Sequence, residues 1–231
     1  MVTRALVLAG GSGPSRAELD AVWPDWADGL ELVIAADAGA LLARPLGVHL
    51  DLIVGDADSL GEPGLARFAS QGIGIDRSPA DKDESDLELA LRAAIGRDAR
   101  AIVVLGAFGG RFDHQLVNVS LLALPGLAGR EVALLDGQTR VRLLDGVSGG
   151  PVRLGLTRRP GALVTLLAFD GPARGVTTGG LRWPLAGATL ETGSSLGLSN
   201  EVLGPNPPDV WVELRAGRLL VIETILLGSE P

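Results

Sequence analysis

The chain has 231 residues, a formal net charge of −8 and no cysteine. This length suits one large domain or two small ones, and the absence of cysteine excludes disulfides and thiolate metal sites and favours a reducing, cytoplasmic location. The acidic balance argues against nucleic acid or an anionic membrane as the main partner, and no run approaches the roughly 18 apolar residues that span a bilayer.

The first half of the chain alternates short apolar runs with segments of helical length. Five runs predict strands: Ala5–Ala9, Glu31–Ala36, Leu52–Val54, Gly74–Arg77 and Ala101–Leu105. Helices are predicted near residues 16–30, 38–47, 62–71 and 85–97. Near-continuous apolar strands are typical of a parallel sheet that is covered on both faces. The pattern therefore predicts a doubly wound α/β fold, with a mostly parallel sheet and helices on both faces.

The start of the last of these helices can be placed closely. Ser85 and Glu88 have the spacing of a capping box, so Ser85 is the predicted N-cap and Asp86 the first helical residue. Gly96 is predicted to end the helix. One apolar stripe then faces the core, formed by Leu87, Ala90, Leu91 and Ala94.

Beyond about residue 130, short β-like runs alternate with glycine and proline, and helical periodicity is nearly absent. We expect two domains: an α/β domain over residues 1–148 and a C-terminal all-β sandwich over residues 149–231. Between the last two runs, at 210–214 and 218–226, Arg215-Ala216-Gly217 predicts a hairpin turn.

Acidic residues are concentrated in two places. The run from Asp81 to Asp86 holds four carboxylates and the only lysine, and Asp56 and Asp58 directly follow the third apolar run. Like charges about 4 Å apart repel by roughly 1 kcal/mol in water and about 4 kcal/mol in a partly buried site. If the fold joins the two groups, a hard divalent cation bound to phosphate oxygens is the natural counter-charge. The alternatives are solvated turn acids at Asp56 and Asp58, and a plain charge run at a helix start.

Ligands of open parallel sheets bind outside the carboxyl ends of the strands, and every polar or glycine-rich feature of the first half falls there. These features are Gly10–Gly13, Asp37 with Gly39, Asp56 with Asp58, the run 81–86, and Gly106–His114. Five segments aimed at one crevice form a stronger signal than any one of them. Gly10–Gly13 lacks the pattern of a P-loop or a dinucleotide fingerprint, which argues against a Rossmann oxidoreductase, and it could also be a tight turn without a ligand.

Two further segments contain candidate binding residues. The turn Gly109-Gly110-Arg111 lets backbone N–H groups approach an anion and adds a guanidinium that matches phosphate oxygens. In the second half, Trp183 precedes proline in a glycine-rich segment. It is either a core or edge-strand aromatic or a platform that stacks on a flat cationic ring. His114 is more often a structural histidine than a catalyst, and His49 is interpreted as structural.

The motifs together resemble the thiamine pyrophosphokinase (thiamine diphosphokinase) family. Three segments are similar to its nucleotide-site blocks, namely Gly55–Ser59, Lys82–Leu91 and Gly109–His114. Two more are similar to its thiamine-binding domain, namely Gly180–Leu185 and Gly193–Val202. The resemblance implies an α/β ATP-binding domain followed by a β-sandwich, in a homodimer that binds thiamine where the subunits meet. It implies magnesium-dependent transfer of diphosphate from ATP to the thiamine hydroxyl, giving thiamine diphosphate and AMP.

The resemblance also implies roles for individual residues. The magnesium ligands are Asp56, Asp58 and Asp86. The catalytic residues are Lys82, Asp86, Arg111 and Asp113. ATP is bound by Gly10, Gly11, Ser12, Asp37, Gly39, Asp83, Gly109, Gly110 and His114. Thiamine is bound by Trp183, Ser199 and Asn200.

Several alternatives stay open at this point. Either Asp86 or Asp113 orients the hydroxyl or accepts its proton, and Trp183 stacks on either the pyrimidine or the thiazolium ring. Departures from the family pattern include Ala57 in place of phenylalanine and Ala38-Gly39-Ala40 in place of Gly-Gly-Ala. The rival functions are a metal-dependent phosphohydrolase, in which water is the acceptor, and a non-catalytic sensor of thiamine or nucleotide.

Overall fold

A computed structural model describes residues 3–56, 58–79, 81–147, 150–204 and 209–226. The chain divides into two compact units, Met1–Gly137 and Gln138–Pro231. The domain boundary predicted between residues 148 and 149 lies outside the described residues and stays a prediction. Among the helices in the described ranges, none has the length and apolar character needed to cross a membrane.

The first unit alternates strands with helices along the chain. Its strands are β1 (Arg4–Leu8), β2 (Leu32–Ala36), β3 (Leu52–Gly55), β4 (Gly74–Arg77), β5 (Ala101–Leu105) and β6 (Glu131–Asp136). Its helices are α1 (Arg16–Val22), α2 (Ala43–Leu46), α3 (Gly61–Ser70), α4 (Asp86–Gly96) and α5 (Phe112–Ser120). Short 3₁₀ turns lie at Asp37–Leu42, Leu121–Ala123 and Pro125–Leu127.

These strands form one parallel sheet in the order β4-β3-β2-β1-β5-β6. The chain runs outward from β1 to β4 and then returns to the other side of β1, so the order reverses between β1 and β5. Such a reversal opens a ligand-binding crevice at the carboxyl ends of the strands. The doubly wound α/β fold that the sequence predicts is confirmed.

Helix α4 confirms the most detailed sequence prediction. The Ser85 Oγ accepts a hydrogen bond from the Glu88 N–H at 3.2 Å, so Ser85 is the N-cap. The four residues of the predicted stripe are buried, and the helix lies against β1, β2 and β3. This packing holds Asp86, the first helical residue, beside the end of β3.

The second unit is an antiparallel sandwich, as predicted. Its strands are β7 (Thr139–Asp145), β8 (Val152–Gly155), β9 (Leu163–Gly179), β10 (Ala188–Leu190), β11 (Asn200–Glu201), β12 (Trp211–Leu214) and β13 (Ala216–Thr224). The long strand β9 belongs to both sheets. Its first part pairs with β11 and β13, and its last part pairs with β10 and β12. The change of sheet follows Asp170 and Gly171, which have φ of 55° and 115°.

The hairpin predicted at Arg215-Ala216-Gly217 is wrong. Strand β12 pairs with β8 and β9, whereas β13 pairs with β7 and β9, so the chain passes from one sheet to the other here. Gly217 has φ of 88°, and a Cβ atom at this position would collide with the carbonyl oxygen of Pro172. The glycine therefore correctly predicted a sharp change of chain direction, but it did not predict that the chain passes to the other sheet there.

One buried carboxylate links several segments of the second unit through hydrogen bonds. Glu223 on β13 is fully buried and accepts hydrogen bonds from Arg140 at 2.8 and 2.9 Å, from Arg142 at 2.7 Å and from the Thr157 N–H at 2.6 Å. Burial by itself raises the pKa of Glu223. The two guanidinium groups and the backbone donor outweigh that effect, so the net pKa is lowered.

Candidate functional site

Three carboxylates meet at the carboxyl ends of β2 and β3. Asp37 follows β2, Asp56 follows β3, and Asp86 begins α4. One ligand oxygen from each lies within 4.8 Å of the others. We call Asp37, Asp56 and Asp86 the acidic cluster. It is brought together by strand order, because β2 and β3 are neighbours and α4 packs across them.

Asp37 is the buried member of the acidic cluster, with 6% of its surface exposed. Its Oδ2 accepts a hydrogen bond from the Ser59 N–H at 3.2 Å, whereas its Oδ1 is buried with no hydrogen-bond partner in the described part of the chain. A buried polar atom without a partner costs about 1–3 kcal/mol, and more when it is charged. A bound cation would remove this cost, so the atom fits a metal site.

Lys82 partly neutralises the acidic cluster. Its Nζ lies 2.6 Å from Asp86 Oδ1 and 4.0 Å from Asp56 Oδ2, and its side chain is only 11% exposed. Three carboxylates and one ammonium leave a formal charge of −2. Hard oxygen ligands with a residual charge of this size suit Mg²⁺, especially when phosphate oxygens complete the shell.

Gly55 leaves the space that allows the carboxylates of the acidic cluster to approach one another. Its φ is 144°, a conformation that L-residues rarely adopt. A Cβ atom on Gly55 would lie 3.0 Å from Asp86 Oδ1 and 3.3 Å from the Cβ of Asp37. Gly55 belongs to a motif of the sequence, but its structural role was not predicted, because its neighbours come from distant parts of the chain.

The structure joins two of the three predicted magnesium ligands, Asp56 and Asp86. Asp58 is exposed and is not a member of the acidic cluster, and its backbone N–H donates to Asp56 Oδ1 at 3.1 Å. The third member of the acidic cluster is Asp37, which was predicted to bind ATP. The part of Asp58 in metal binding stays a prediction, and Ala57 between the two aspartates lies outside the described residues.

The loops that follow β1 and β5 pack against each other at the switch point. The Gly11 N–H donates to the Gly106 carbonyl, and the Ser12 N–H donates to the Phe108 carbonyl, both at 2.9 Å. A Cβ atom on Gly11 would collide with the Phe108 carbonyl oxygen, and one on Gly109 would lie 2.5 Å from Ser12 Oγ. These glycines permit close loop packing, and the amides of Gly11 and Ser12 are already used within the protein.

The other predicted ATP residues differ in their surroundings. Gly39 packs on the backbone of Leu8 with no room for a side chain, so its glycine is explained by packing. Gly110 has φ of 73° and open space around it, and Gly10 has only ordinary contacts near it. Asp83 is exposed. Their predicted contacts with ATP stay predictions.

Arg111 and Asp113 form a two-point ion pair at the start of α5. The Arg111 Nε lies 3.1 Å from Asp113 Oδ1 and its Nη2 lies 2.5 Å from Oδ2, while the His114 N–H donates to Oδ1 at 2.9 Å. The hydrogen bond from Arg111 is the main reason that the pKa of Asp113 is lowered, and the same bond raises the pKa of Arg111. The pair therefore favours the charged form of both groups.

The predicted thiamine residues lie together in the second unit. The Trp183 side chain is 56% exposed, and Arg182 lies over its ring, 5.1 Å from the centroid. The buried Asn200 side chain accepts from the Trp183 N–H at 3.1 Å and donates to the Trp183 carbonyl at 2.7 Å. Ser199 has φ of 55° and donates its N–H to Thr165 Oγ1 at 3.0 Å. Asn200 therefore holds the tryptophan backbone in place.

The fold and the site define a class of protein: a chain of two units, with a candidate cation site at the carboxyl ends of two neighbouring strands of an α/β sheet and an exposed tryptophan on a β-sandwich. Two family models match within this frame. The model for the thiamin pyrophosphokinase catalytic domain matches residues 24–132, and the model for the thiamin pyrophosphokinase vitamin B1 binding domain matches residues 153–219. The chain belongs to the thiamin pyrophosphokinase family, as its motifs predicted.

Curated relatives carry the same name. The chain is 27% identical to a thiamine pyrophosphokinase of Bacillus subtilis over 173 residues, which cover 74% of this chain and 78% of the relative. It is 29% identical to thiamine pyrophosphokinase 2 of Oryza sativa subsp. japonica over 162 residues, or 66% of this chain and 58% of the rice protein. The chain thus spans less than two thirds of the rice protein.

Solved structures share the whole fold. The crystal structure of thiamine pyrophosphokinase from Bacillus subtilis matches with a TM-score of 0.81 at 24% identity and covers 97% of this chain and 100% of its own. A thiamin pyrophosphokinase family protein from Enterococcus faecalis matches with a TM-score of 0.76 at 25% identity and the same coverage. Both domains of the present chain therefore have counterparts in single proteins.

Proposed function

We propose that the chain is a thiamine pyrophosphokinase, which transfers diphosphate from ATP to the hydroxyl of thiamine and yields thiamine diphosphate and AMP. The observation that carries the proposal is the acidic cluster at the carboxyl ends of β2 and β3, with the unpartnered Oδ1 of Asp37 and the adjacent Lys82. The match of both domains to one family supports the choice of substrates.

Asp37, Asp56 and Asp86 are the residues that would hold Mg²⁺. When bound, the ion supplies positive charge against the oxygens of the triphosphate. Lys82 adds a second positive charge at the same place, since its Nζ already contacts Asp86. The assignment replaces Asp58 by Asp37 in the metal shell, because Asp37 has the buried oxygen that needs a cation.

The reaction is a displacement at the β-phosphorus of ATP. A bond forms between the thiamine hydroxyl oxygen and the β-phosphorus, and the bond from that phosphorus to the oxygen bridging the α-phosphate breaks, so AMP leaves. Catalysis of this kind consists mainly of positioning and charge stabilisation. The Arg111 guanidinium is charged at neutral pH, as arginine always is, and is held in place by Asp113.

Asp113 and Asp86 were both candidates to accept the proton of the hydroxyl. Asp113 is engaged by the Arg111 guanidinium, and Asp86 is engaged by the Lys82 ammonium at 2.6 Å. We assign Asp113 to holding the Arg111 guanidinium, and both carboxylates remain candidates to orient the hydroxyl or accept its proton.

The proposal includes a homodimer in the cytoplasm with thiamine bound between subunits. Large apolar side chains are exposed in both units, and exposed apolar side chains of this size support the dimer because interaction sites are enriched in them. Those of the first unit lie on α5 and are Phe112, Leu116 and Val117. Those of the second unit are Trp183, Leu196 and Leu198. Sedimentation equilibrium should give a dimer mass, and Leu116→Glu should shift it towards the monomer.

The activity test uses purified protein with ATP and Mg²⁺, with and without thiamine, and measures AMP and thiamine diphosphate by chromatography. We expect both products in equal amounts and only when thiamine is present. Nucleotide breakdown of equal rate without thiamine would identify a phosphohydrolase. Calorimetry that finds thiamine bound without turnover would identify a sensor, and either result rejects the proposal.

A further inference from the structure

Lys82 is the only lysine of the chain, and it supplies the positive charge inside the acidic cluster. Its Nζ lies 2.6 Å from Asp86 Oδ1 and 4.0 Å from Asp56 Oδ2, and only 11% of its side chain is exposed. Within the described ranges, no other basic side chain forms an ion pair with the three aspartates of the cluster. The acidic cluster therefore depends on one internal counter-ion.

The two partners of the Lys82–Asp86 ion pair differ in how firmly the fold holds them. Asp86 is the first residue of α4, which begins at the Ser85 cap and buries the neighbouring Leu87 in the core. Lys82 lies before the helix, in a segment without regular secondary structure. Its ammonium is carried on a flexible four-carbon stem. The ammonium can therefore change partners while Asp86 stays in place.

The ammonium of Lys82 and a divalent ion compete for the same carboxylate. An ammonium donates up to three hydrogen bonds to oxygen lone pairs, and Mg²⁺ needs carboxylate oxygens of the same kind. Two positive charges that share Asp86 also repel each other, and a partly buried site screens them little. Lys82 therefore lowers the affinity of the acidic cluster for a free divalent ion.

The same positive charge favours an anionic nucleotide. Phosphate oxygens accept charge-assisted hydrogen bonds from an ammonium, and lysine binds phosphate as a point charge. A triphosphate at the acidic cluster offers the ammonium new partners close to Asp86. Once the ammonium is on phosphate, the Asp86 oxygen that it used is available to a metal ion, and the competition ends.

We infer that Lys82 makes divalent-ion binding depend on the nucleotide. It opposes a free ion at the acidic cluster, and it permits the ion to bind together with the triphosphate. The inference rests on the proposed function and extends it to the order in which the ligands bind. Coupling between two ligands is reciprocal, so the ion strengthens nucleotide binding by the same factor.

The experiment uses Mn²⁺ as the probe ion and measures its Kd on the full chain by electron paramagnetic resonance. Lys82→Met keeps a long side chain and removes the charge. Without nucleotide, Mn²⁺ should bind this variant about tenfold more tightly than the wild type, a factor between those of exposed and partly buried charge pairs. A non-hydrolysable ATP analogue without metal should bind the variant about tenfold more weakly. A purely structural role of Lys82 would weaken both ligands.

Two matched variants separate charge from other effects. Lys82→Arg keeps the positive charge and should keep the weak Mn²⁺ binding of the wild type. Arg92→Met removes the cation of a similar ion pair further along α4, between Arg92 and Glu88 at 2.7 Å, and should change neither Kd. Mn²⁺ binding to Lys82→Met that is equal to that of the wild type, or weaker, overturns the inference.

A measurement on the wild-type protein does not depend on the folding of any variant. Because Lys82 is the only lysine, lysine labelled with ¹³C at Cε gives one side-chain signal in the NMR spectrum. The ATP analogue should shift this signal, with or without Mg²⁺, because the ammonium leaves Asp86 for phosphate. A signal that the analogue leaves unchanged overturns the inference, even in a protein that forms thiamine diphosphate. A protein that forms none rejects the proposed function, whereas the Mn²⁺ titration without nucleotide still tests the competition.

Discussion

Replacing Gly55 by alanine should disable the active site through a single added methyl group. Gly55 has φ of 144°, so an alanine there carries about 1–3 kcal/mol of backbone strain. The new Cβ lies 3.0 Å from Asp86 Oδ1 and 3.3 Å from Asp37 Cβ, so both carboxylates must move by a few tenths of an ångström. Because a misplacement of about 1 Å can cost about 100-fold in rate, we expect kcat to fall about 10- to 100-fold.

The assay is steady-state formation of AMP from ATP and thiamine, together with urea unfolding of the same variant. Gly96→Ala is the matched control, because Gly96 lies in the same unit, ends α4 and has no atom within 4 Å of an added Cβ. It should keep wild-type kcat, with a stability change of at most about 1 kcal/mol. A Gly55→Ala protein that is folded and turns over at the wild-type rate would refute the reasoning.

Three further predictions concern Asp37, Glu223 and Asn200. Asp37→Asn should lower kcat at least about 100-fold and raise the Mg²⁺ needed for half-maximal rate, whereas Asp58→Asn should cost less than about tenfold, as a magnesium titration of each variant will check. Glu223→Gln should cost about 3 kcal/mol at neutral pH in urea unfolding. The folded pKa of Glu223 lies below its ordinary 4.5, so its contribution is present above that value and is lost as pH falls through the folded pKa. Asn200→Ala removes two hydrogen bonds to Trp183 and should raise KM for thiamine about tenfold with kcat nearly unchanged.

Each of these has a result that contradicts it. Equal losses of kcat in Asp37→Asn and Asp58→Asn would indicate that Asp58 also binds the metal ion. A stability gap between wild type and Glu223→Gln that widens on acidification would contradict the lowered pKa. An unchanged KM in Asn200→Ala would show that the Trp183 loop holds its position without the amide.

Local patterns were enough to predict most of the first unit. Strands β2, β3 and β5 are short and apolar, and β1 is nearly so, because both faces are covered, and that composition is visible in the sequence. The edge strand β4 is mostly exposed and contains Asp76 and Arg77. Ser85 and Glu88 fixed the start of α4 because a capping box acts within four residues. The family motifs predicted that Asp56, Lys82 and Asp86 lie at one site. The structure shows the Lys82 Nζ close to both carboxylates.

What the sequence could not supply depends on which strands are neighbours. Asp37 reaches the acidic cluster only because β2 pairs with β3, and hydrophobic periodicity does not determine strand order. Asp58 is closer to Asp56 in the chain, yet its side chain stays in solvent. Strand β9 takes part in two sheets, and no local pattern in the sequence encodes that use.

The central claim is tested most directly by locating a metal ion. Crystals grown with Mn²⁺ and a non-hydrolysable ATP analogue would be measured at a wavelength where manganese scatters anomalously. The account predicts a peak within coordination distance of Asp37, Asp56 and Asp86, with the β-phosphate of the analogue on the same ion. A fully ordered nucleotide whose metal lies on Asp58 or elsewhere, with no ligand from Asp37, would contradict it.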